Sequence, residues 1–154
     1  MMRSRFVLGT VIVAFASGVG CSKTALTPIA TVEQIMETTV EPVSFKVFDA
    51  AVWENGKQVG GPETDDDWKM IEANALMPAE TGNLLLMGSR MKDQTGWVTR
   101  THAMMDAATE AAKAAAAKNI GAVFNAGTKI YDACAGCHQQ YINPLTVTPR
   151  AGAN

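Results

Sequence analysis

The sequence predicts an all-α protein that folds as an antiparallel four-helix bundle. Apolar residues recur at steps of three and four in four separate segments, and the connections between these segments are mostly short. No segment shows an alternation with period two that would indicate a strand. Amphipathic helices of this length bury their apolar stripes against one another, which favours an antiparallel bundle over residues 31–143.

The first helix is predicted to begin at Thr31 and to carry one apolar stripe. The stripe contains Met36, Val40, Val43, Val47 and Ala51. Pro42 lies inside this helix, and we expect a kink there because proline removes a backbone donor and clashes with the preceding turn. Asn55 and Gly56 should end the helix, with a loop following as far as Pro62.

Three further helices follow along the chain. The second should start near Thr64, where three aspartates stand at the positive end of the helix dipole. The third runs from about Gly96 to Lys118 and is rich in alanine, and the fourth runs from Ile120 to about Tyr141. The predicted inner face of the fourth helix contains Ile120, Val123, Phe124, Gly127, Tyr131, Cys134 and His138.

A Cys-x-x-Cys-His run, Cys134 to His138, stands near the end of the fourth helix. This pattern is typical of covalent attachment of one haem c. Residues three apart on a helix lie about 60° from each other around the axis, so both sulfurs can reach one edge of a porphyrin. Each thiol can add to a haem vinyl group to form a thioether. His138 can then offer a ring nitrogen to the iron as the proximal ligand.

A redox dithiol and a zinc site are the two alternative roles for the cysteine pair. A redox dithiol of the thioredoxin kind stands at the start of a helix that follows a strand, and no such pattern precedes Cys134. A zinc site needs two further ligands, and the rest of the chain offers only Cys21 and His102. The sequence therefore favours haem.

Residues 1–20 have the layout of a secretory signal. Arg3 and Arg5 give a positive start, an apolar run covers residues 6–16, and small residues lead up to Cys21. The apolar run is too short to span a bilayer comfortably. We therefore expect export to the bacterial periplasm.

Cys21 follows directly after the small residues that end the signal. Its position resembles the acylated cysteine of bacterial lipoproteins, which would tether the protein to a membrane. The alternative is ordinary cleavage that leaves Cys21 as a free thiol. Residues 21–30 then form a short tether, and residues 144–154 form a C-terminal tail.

The charge of the chain excludes one class of function. Removal of residues 1–20 takes away two of the 13 basic side chains, so 11 remain against 15 acidic ones, a formal charge of −4. A chain with this balance is not a nucleic-acid binder.

The motif and its setting resemble one family of haem proteins. The residues that carry the resemblance are Tyr131-x-x-Cys134-x-x-Cys137-His138-x-x-Tyr141, the alanine-rich third helix, and Asp67-Trp68 at the start of the second helix. Together they resemble the cytochrome c-prime family, the class II c-type cytochromes, including its low-spin, methionine-ligated branch. Mitochondrial-type cytochromes c carry the motif near their N-terminus instead. The resemblance spans about residues 31–143.

The resemblance implies a haem inside the bundle, with His138 as proximal ligand and the first helix on the distal side. In the low-spin branch a methionine of the first helix is the sixth ligand, which makes Met36 the candidate distal ligand. In the high-spin members the sixth position is open, and Met36 or Ile35 would then only cap it. His102 is a third candidate ligand, and Met36 could also be ordinary core packing.

Two functions follow from these alternatives. The first is a one-electron carrier that exchanges electrons with periplasmic or membrane redox proteins. The second is a five-coordinate haem protein that binds nitric oxide or carbon monoxide at an open distal site. The sequence contains no evident catalytic constellation, so we do not expect an enzyme. Members of the family often form homodimers, and a homodimer is a further expectation from the resemblance.

Overall fold

The computed structural model describes residues 26–142, so the predicted signal, Cys21 and the predicted tail lie outside the described residues. Within this range the chain is mostly helical, with four helices and one small hairpin, which confirms the predicted class in its general form. The elements are α1 over residues 32–48, β1 Val52–Glu54, β2 Lys57–Gly60, α2 Asp65–Leu85, α3 Gly96–Ala116 and α4 Ile120–Tyr141. None of the described helices combines the length and the apolar character that crossing a membrane requires.

Polar contacts between the ends of α2 and α3 show that these helices run antiparallel. Lys118, just after α3, forms an ion pair of 2.6 Å with Asp65 at the start of α2. At the other end, the indole N–H of Trp97 donates to the backbone carbonyl of Leu85 over 2.9 Å. Each helix therefore begins where its neighbour ends.

Helices α3 and α4 also run antiparallel. Glu110 pairs with Lys129 near the middle of the two helices, at 2.5 Å, and Arg100 donates to Gln140 near the start of α3 and the end of α4, at 3.1 Å. The end of α4 therefore lies at the same end of the molecule as the start of α3. The start of α1 is there too, because Val32 and Ile35 belong to the same apolar cluster as Trp97 and Tyr141. This end carries the Cys-x-x-Cys-His run.

Small side chains set the close packing of the helices. Ala108, Ala111 and Ala115 of α3 are fully buried, which agrees with the predicted alanine-rich contact face. A Cβ atom at Gly82 of α2 would overlap the side chain of Met105 on α3. Glycine at this position therefore lets the Met105 side chain lie directly against the backbone of α2.

Helix α1 contains a π-helical turn in its middle. It is α-helical over Val32–Ile35, π-helical over Met36–Val40 and α-helical again over Glu41–Phe48. The N–H of Glu41 donates to the carbonyl of Met36, five residues earlier. The disturbance that the sequence predicted near Pro42 therefore takes the form of a wider turn.

Two properties of the sequence favour this turn. In a regular α-helix the ring of Pro42 would clash with the carbonyl of Thr38, and a wider turn relieves the clash. The turn also brings Ile35 beneath Val40, and both side chains are buried, at 5% and 3% exposure. The π turn has one residue more than an α-helical turn, and this extra residue rotates the first part of α1 so that its apolar side chains face the core.

The region after α1 differs from the prediction. The sequence led us to expect the first helix to continue to Asn55 and a loop to follow, but the helix ends at Phe48 and residues 52–60 form an antiparallel hairpin. Asn55 and Gly56 have φ values of +50° and +77°, as a two-residue hairpin turn requires. An Asn-Gly pair is a strong hairpin signal, and it was missed because the flanking strands are too short to show a clear alternation.

The predicted inner face of α4 is wrong in part. Val123 and Gly127 are buried, but Phe124 and Tyr131 are 46% and 62% exposed, and His138 is exposed as well. The buried stripe instead continues through Ala126 and Ile130. The two aromatic residues lie on the flank of α4, where Tyr131 contacts Phe48 of α1 and Phe124 contacts Trp53 of the hairpin.

The origin of the π turn can be tested at Pro42, which is exposed, so its replacement removes little packing. In Pro42→Ala the clash with Thr38 disappears and a backbone donor is restored. We expect the turn to become α-helical, with the carbonyl that accepts from the Glu41 N–H changing from Met36 to Glu37. Through-hydrogen-bond NMR couplings between amide nitrogen and carbonyl carbon identify the acceptor directly.

Pro78→Ala is the control for loss of a proline inside a helix, because Pro78 lies inside α2 without a π turn; unlike Pro42 it is buried, so this variant also loses packing. It should leave the Glu41 acceptor unchanged. Retention of the Met36 acceptor in Pro42→Ala would show that burial of Ile35 alone maintains the turn.

Candidate functional site

All four helices contribute to a cleft at the end of the bundle that carries the cysteine motif. Its walls are Met36 of α1, Leu85 of α2, Arg100, Thr101 and Met104 of α3, and Ala133, Cys134, Cys137 and His138 of α4. Of the predicted site residues, the structure therefore brings Met36, both cysteines and His138 to one place. His102 is exposed and does not line this cleft. Cys21 lies outside the described residues.

The two cysteines are half-buried, and their thiols are protonated at neutral pH. Burial, and to a lesser degree the neighbouring Cys137, raises the pKa of Cys134 to about 11. Burial also raises the pKa of Cys137, although the nearby Arg100 partly opposes this effect. A redox dithiol needs a lowered pKa, commonly at the start of a helix, whereas this pair stands near the end of α4. The local chemistry thus argues against a thioredoxin-like role.

The donor atoms of the cleft fit a covalently attached haem. Two thiols three residues apart stand on one helix, a histidine follows directly, and a thioether lies on the wall formed by α1. No group of three or more His, Cys, Asp or Glu side chains suited to a metal ion occurs among residues 26–142.

The cleft is narrow, with a volume of about 20 Å³. Pockets for cofactor-sized ligands measure roughly 300–1,000 Å³. Admission of a macrocycle would require the side chains of Met36, Leu85 and Met104 to move apart. Two of these are methionines, which adapt to such changes at low cost because their side chains are unbranched and flexible.

Arg100 covers the α4 side of the cleft. Its Nε donates to the side-chain oxygen of Gln140 over 3.1 Å, and its guanidinium rests on the backbone of Gly136. A Cβ atom at Gly136 would overlap the guanidinium, so a larger residue there would displace the Arg100 side chain. Arg100 was not predicted as a site residue from the sequence. Its spacing of three and four from Trp97 and Met104 was the available signal.

A second network attaches the end of α4 to the start of α3. The Tyr141 hydroxyl donates to the carboxylate of Asp93, which also accepts the backbone N–H groups of Thr95 and Trp97 over 2.8 and 3.1 Å. The Tyr141 ring packs edge-on against Trp97, with 5.1 Å between ring centroids. This network holds the helix turn that follows His138.

A larger groove of about 410 Å³ lies between α3 and α4, on the outer side of the bundle. It is open to solvent and carries side chains of both charges, among them Asp106, Glu110 and Lys129. Neither cysteine lines it, so its size alone does not make it the site of the chemistry.

The chain was compared with family models, curated proteins and solved structures, and nothing matches it in any of the three comparisons. The functional assignment therefore depends on the residues of the cleft itself.

The Tyr141–Asp93 bond predicts a specific dependence of stability on pH. The Tyr141 hydroxyl, followed by the N–H groups of Trp97 and Thr95, lowers the pKa of Asp93 from 3.8 to about 2. A lowered pKa in the folded state contributes stability above the unfolded value and loses it as pH falls toward the folded value. In Tyr141→Phe the melting temperature should therefore be lower than in the wild type at pH 5–7. The difference should shrink as pH falls from 3.8 toward 2.

Thermal unfolding followed by circular dichroism across this pH range measures the effect. Tyr131→Phe is the matched control, because Tyr131 is the other tyrosine of the chain, lies on the same helix and is exposed. A difference for Tyr141→Phe that stays constant from pH 7 to pH 2 would contradict the predicted role of Asp93.

Proposed function

We propose that this protein is a periplasmic one-electron carrier with one covalently attached haem c, similar to the low-spin branch of the cytochrome c-prime family. The observation that carries the proposal is the position of Cys134 and Cys137. Both face one cleft near the end of α4, with His138 beside them and Met36 on the wall formed by α1.

Each side chain of the cleft has a distinct role in this proposal. Cys134 and Cys137 hold the cofactor by thioether bonds, which prevents its loss when the fold opens. His138, which lines the cleft at its solvent-exposed edge, would provide the proximal nitrogen. When bound, the haem supplies reversible one-electron chemistry at iron.

The surroundings of the cleft favour the reduced state of the iron. Leu85 and Met104 exclude water, and a low dielectric disfavours the additional positive charge of the oxidised centre. The neutral sulfur of Met36, as sixth ligand, would act in the same direction and raise the reduction potential. A saturated iron of this kind suits electron transfer, since it leaves no position for a substrate.

The alternative function is capture of nitric oxide or carbon monoxide at an open sixth position. The observation in its favour is that Ile35 and Met36, at the beginning of the π turn of α1, both belong to the apolar cluster at this end of the bundle. In that case the two side chains form a steric cap, and Met36 does not ligate.

The proposal includes export and membrane attachment. The signal-like residues 1–20 direct the chain to the periplasm, and acylation of Cys21 attaches it to a membrane. The partners are then periplasmic or membrane redox proteins. The proposal assigns no catalytic residue.

Covalent attachment is tested by attempts to remove the haem. We expect the haem to stay with the chain through acid–acetone extraction and denaturing electrophoresis, because thioethers survive both treatments. Cys134→Ser and Cys137→Ser should each weaken or abolish this retention. Cys21→Ser is the control and should retain the haem fully. Ready loss of haem from the wild-type chain would overturn the proposal.

Ligation by Met36 is tested by optical spectroscopy and potentiometry. If Met36 ligates, the oxidised wild type is low-spin with a sulfur-to-iron charge-transfer band, and it resists carbon monoxide. Met36→Ala should then become high-spin, bind carbon monoxide and lose on the order of a tenth of a volt or more of potential, a fraction of the roughly 0.8 V range that axial ligands set.

Met70→Ala is the matched control, since Met70 lies on the exposed face of α2, with 65% of its surface exposed. It should leave spectrum and potential unchanged. A wild type that is already high-spin and binds carbon monoxide readily would favour the gas-binding alternative.

A further inference from the structure

The segment that precedes α1 is attached to the cleft end of the bundle. The guanidinium of Arg90 donates to the backbone carbonyl of Ala30 through Nε and Nη2, over 3.0 and 2.8 Å. It also donates to the carbonyl of Leu84, at the end of α2, over 3.1 Å. Arg90 is only 7% exposed, and a charge so far out of water is held in place by its acceptors. The chain therefore enters the bundle at a defined point.

This entry point and the cysteine motif belong to the same apolar cluster. Ala30 and Val32 pack against the buried residues Ile35, Leu85 and Trp97, and Ala133, Cys137 and Tyr141 pack against the same group. The opposite end of the bundle carries the hairpin and the start of α2. An N-terminal anchor would thus pull on the end that holds the cleft.

The length of the tether restricts which end can reach a membrane. Cys21 and Ala30 are separated by residues 22–29, and a fully extended chain advances at most about 3.6 Å per residue, which gives a reach of roughly 30 Å. The 22 residues of α4 are themselves about 33 Å long, at 1.5 Å per residue. To set the hairpin end on the membrane, the tether would have to extend fully along the whole bundle.

Apolar side chains are exposed where the tether meets the bundle. Leu26 and Ile29 are 75% and 90% exposed, and Ile142, directly after α4, is 38% exposed. Large aliphatic side chains beside an anchoring point are the kind that bury themselves at the boundary between headgroups and acyl chains.

We propose that the protein docks end-on to a lipid bilayer, with the tether root, Leu26 and Ile29 at the bilayer surface and the cleft end facing the lipid. This inference rests on the N-terminal anchor of the proposed function and adds the orientation. It follows that the cleft exchanges electrons with partners embedded in the membrane. The alternative membrane-contacting surface is the hairpin, where Val52, Trp53 and Val59 are exposed.

The orientation is tested by paramagnetic broadening of amide NMR signals. The full mature chain, with whatever acyl group and cofactor it carries, is placed on phospholipid nanodiscs that contain a gadolinium-chelate lipid. Matched nanodiscs with a lanthanum chelate provide the diamagnetic reference, and the protein is kept reduced. We expect strong broadening for residues 26–36, 86–97 and 138–142, and sharp signals for residues 52–60.

Two variants distinguish contact through the cleft end from contact through the hairpin. Leu26→Ser combined with Ile29→Ser should reduce the broadening at the cleft end at least about twofold, while the chain stays attached through its anchor. Val59→Ser is the matched control, because Val59 is 52% exposed at the opposite end, and it should change nothing. Broadening that is strongest in the hairpin, or equal at both ends, would overturn the proposal.

Failure of the anchor and failure of the haem assignment are separable in this experiment. A mature chain that does not associate with the nanodiscs would overturn both the anchor and the orientation. A chain without haem would overturn the electron-carrier function, yet the broadening pattern would still report which end faces the lipid. Any broadening that the cofactor itself causes is present in the lanthanum reference as well, so the comparison of the two samples removes it.

Discussion

The packing of Trp97 at one end of the bundle is the contact on which the candidate site depends. Its indole N–H bonds to the last turn of α2, and its ring packs against Tyr141 of α4. Its own backbone N–H bonds to Asp93, which also accepts the Tyr141 hydroxyl. One side chain at the start of α3 thus joins the ends of three helices. The cysteine-bearing turn of α4 lies directly beside this junction, so its position follows from the junction.

The two ends of the core differ in the side chains that fill them. The larger cluster, toward the hairpin, is built mostly from alanine, with Val123 and Ile130 fully buried, and its helices pack closely. The cleft end uses larger and more flexible residues, among them Met36, Met104 and Leu85. Small side chains leave little room for adjustment, whereas methionines can yield to a bulky group. The end of the core whose side chains can yield to a bulky group is therefore the end where the cysteines lie.

The π turn of α1 connects the fold with the candidate function. It allows Ile35 to be buried and leaves Met36 beside the cleft, whereas Glu33 and Glu37 remain exposed. π turns often occur at functional sites because one inserted residue changes the direction of a side chain without breaking the helix. In this protein the turn places Met36 of α1 on the wall of the cleft, and the two proposed functions differ in whether Met36 ligates.

The sequence by itself determined the helical class, the starts of α2, α3 and α4, and the cysteine motif. These depend on local spacing, caps and residue type, which can be read along the chain: Thr64 caps α2 through Asp67, and Cys134 and Cys137 fall on one helix because they are three residues apart. The hairpin turn also depends on local sequence, namely Asn55 and Gly56, but its strands are too short to show a recognisable alternation of apolar and polar residues. The tertiary structure alone decided that Arg100 and Thr101 line the cleft, that Phe124 and Tyr131 lie on the flank of α4, and that Ala30 is attached to Arg90. Those placements depend on contacts between helices distant in sequence, where close packing selects one rotation of each helix among several that its apolar pattern allows.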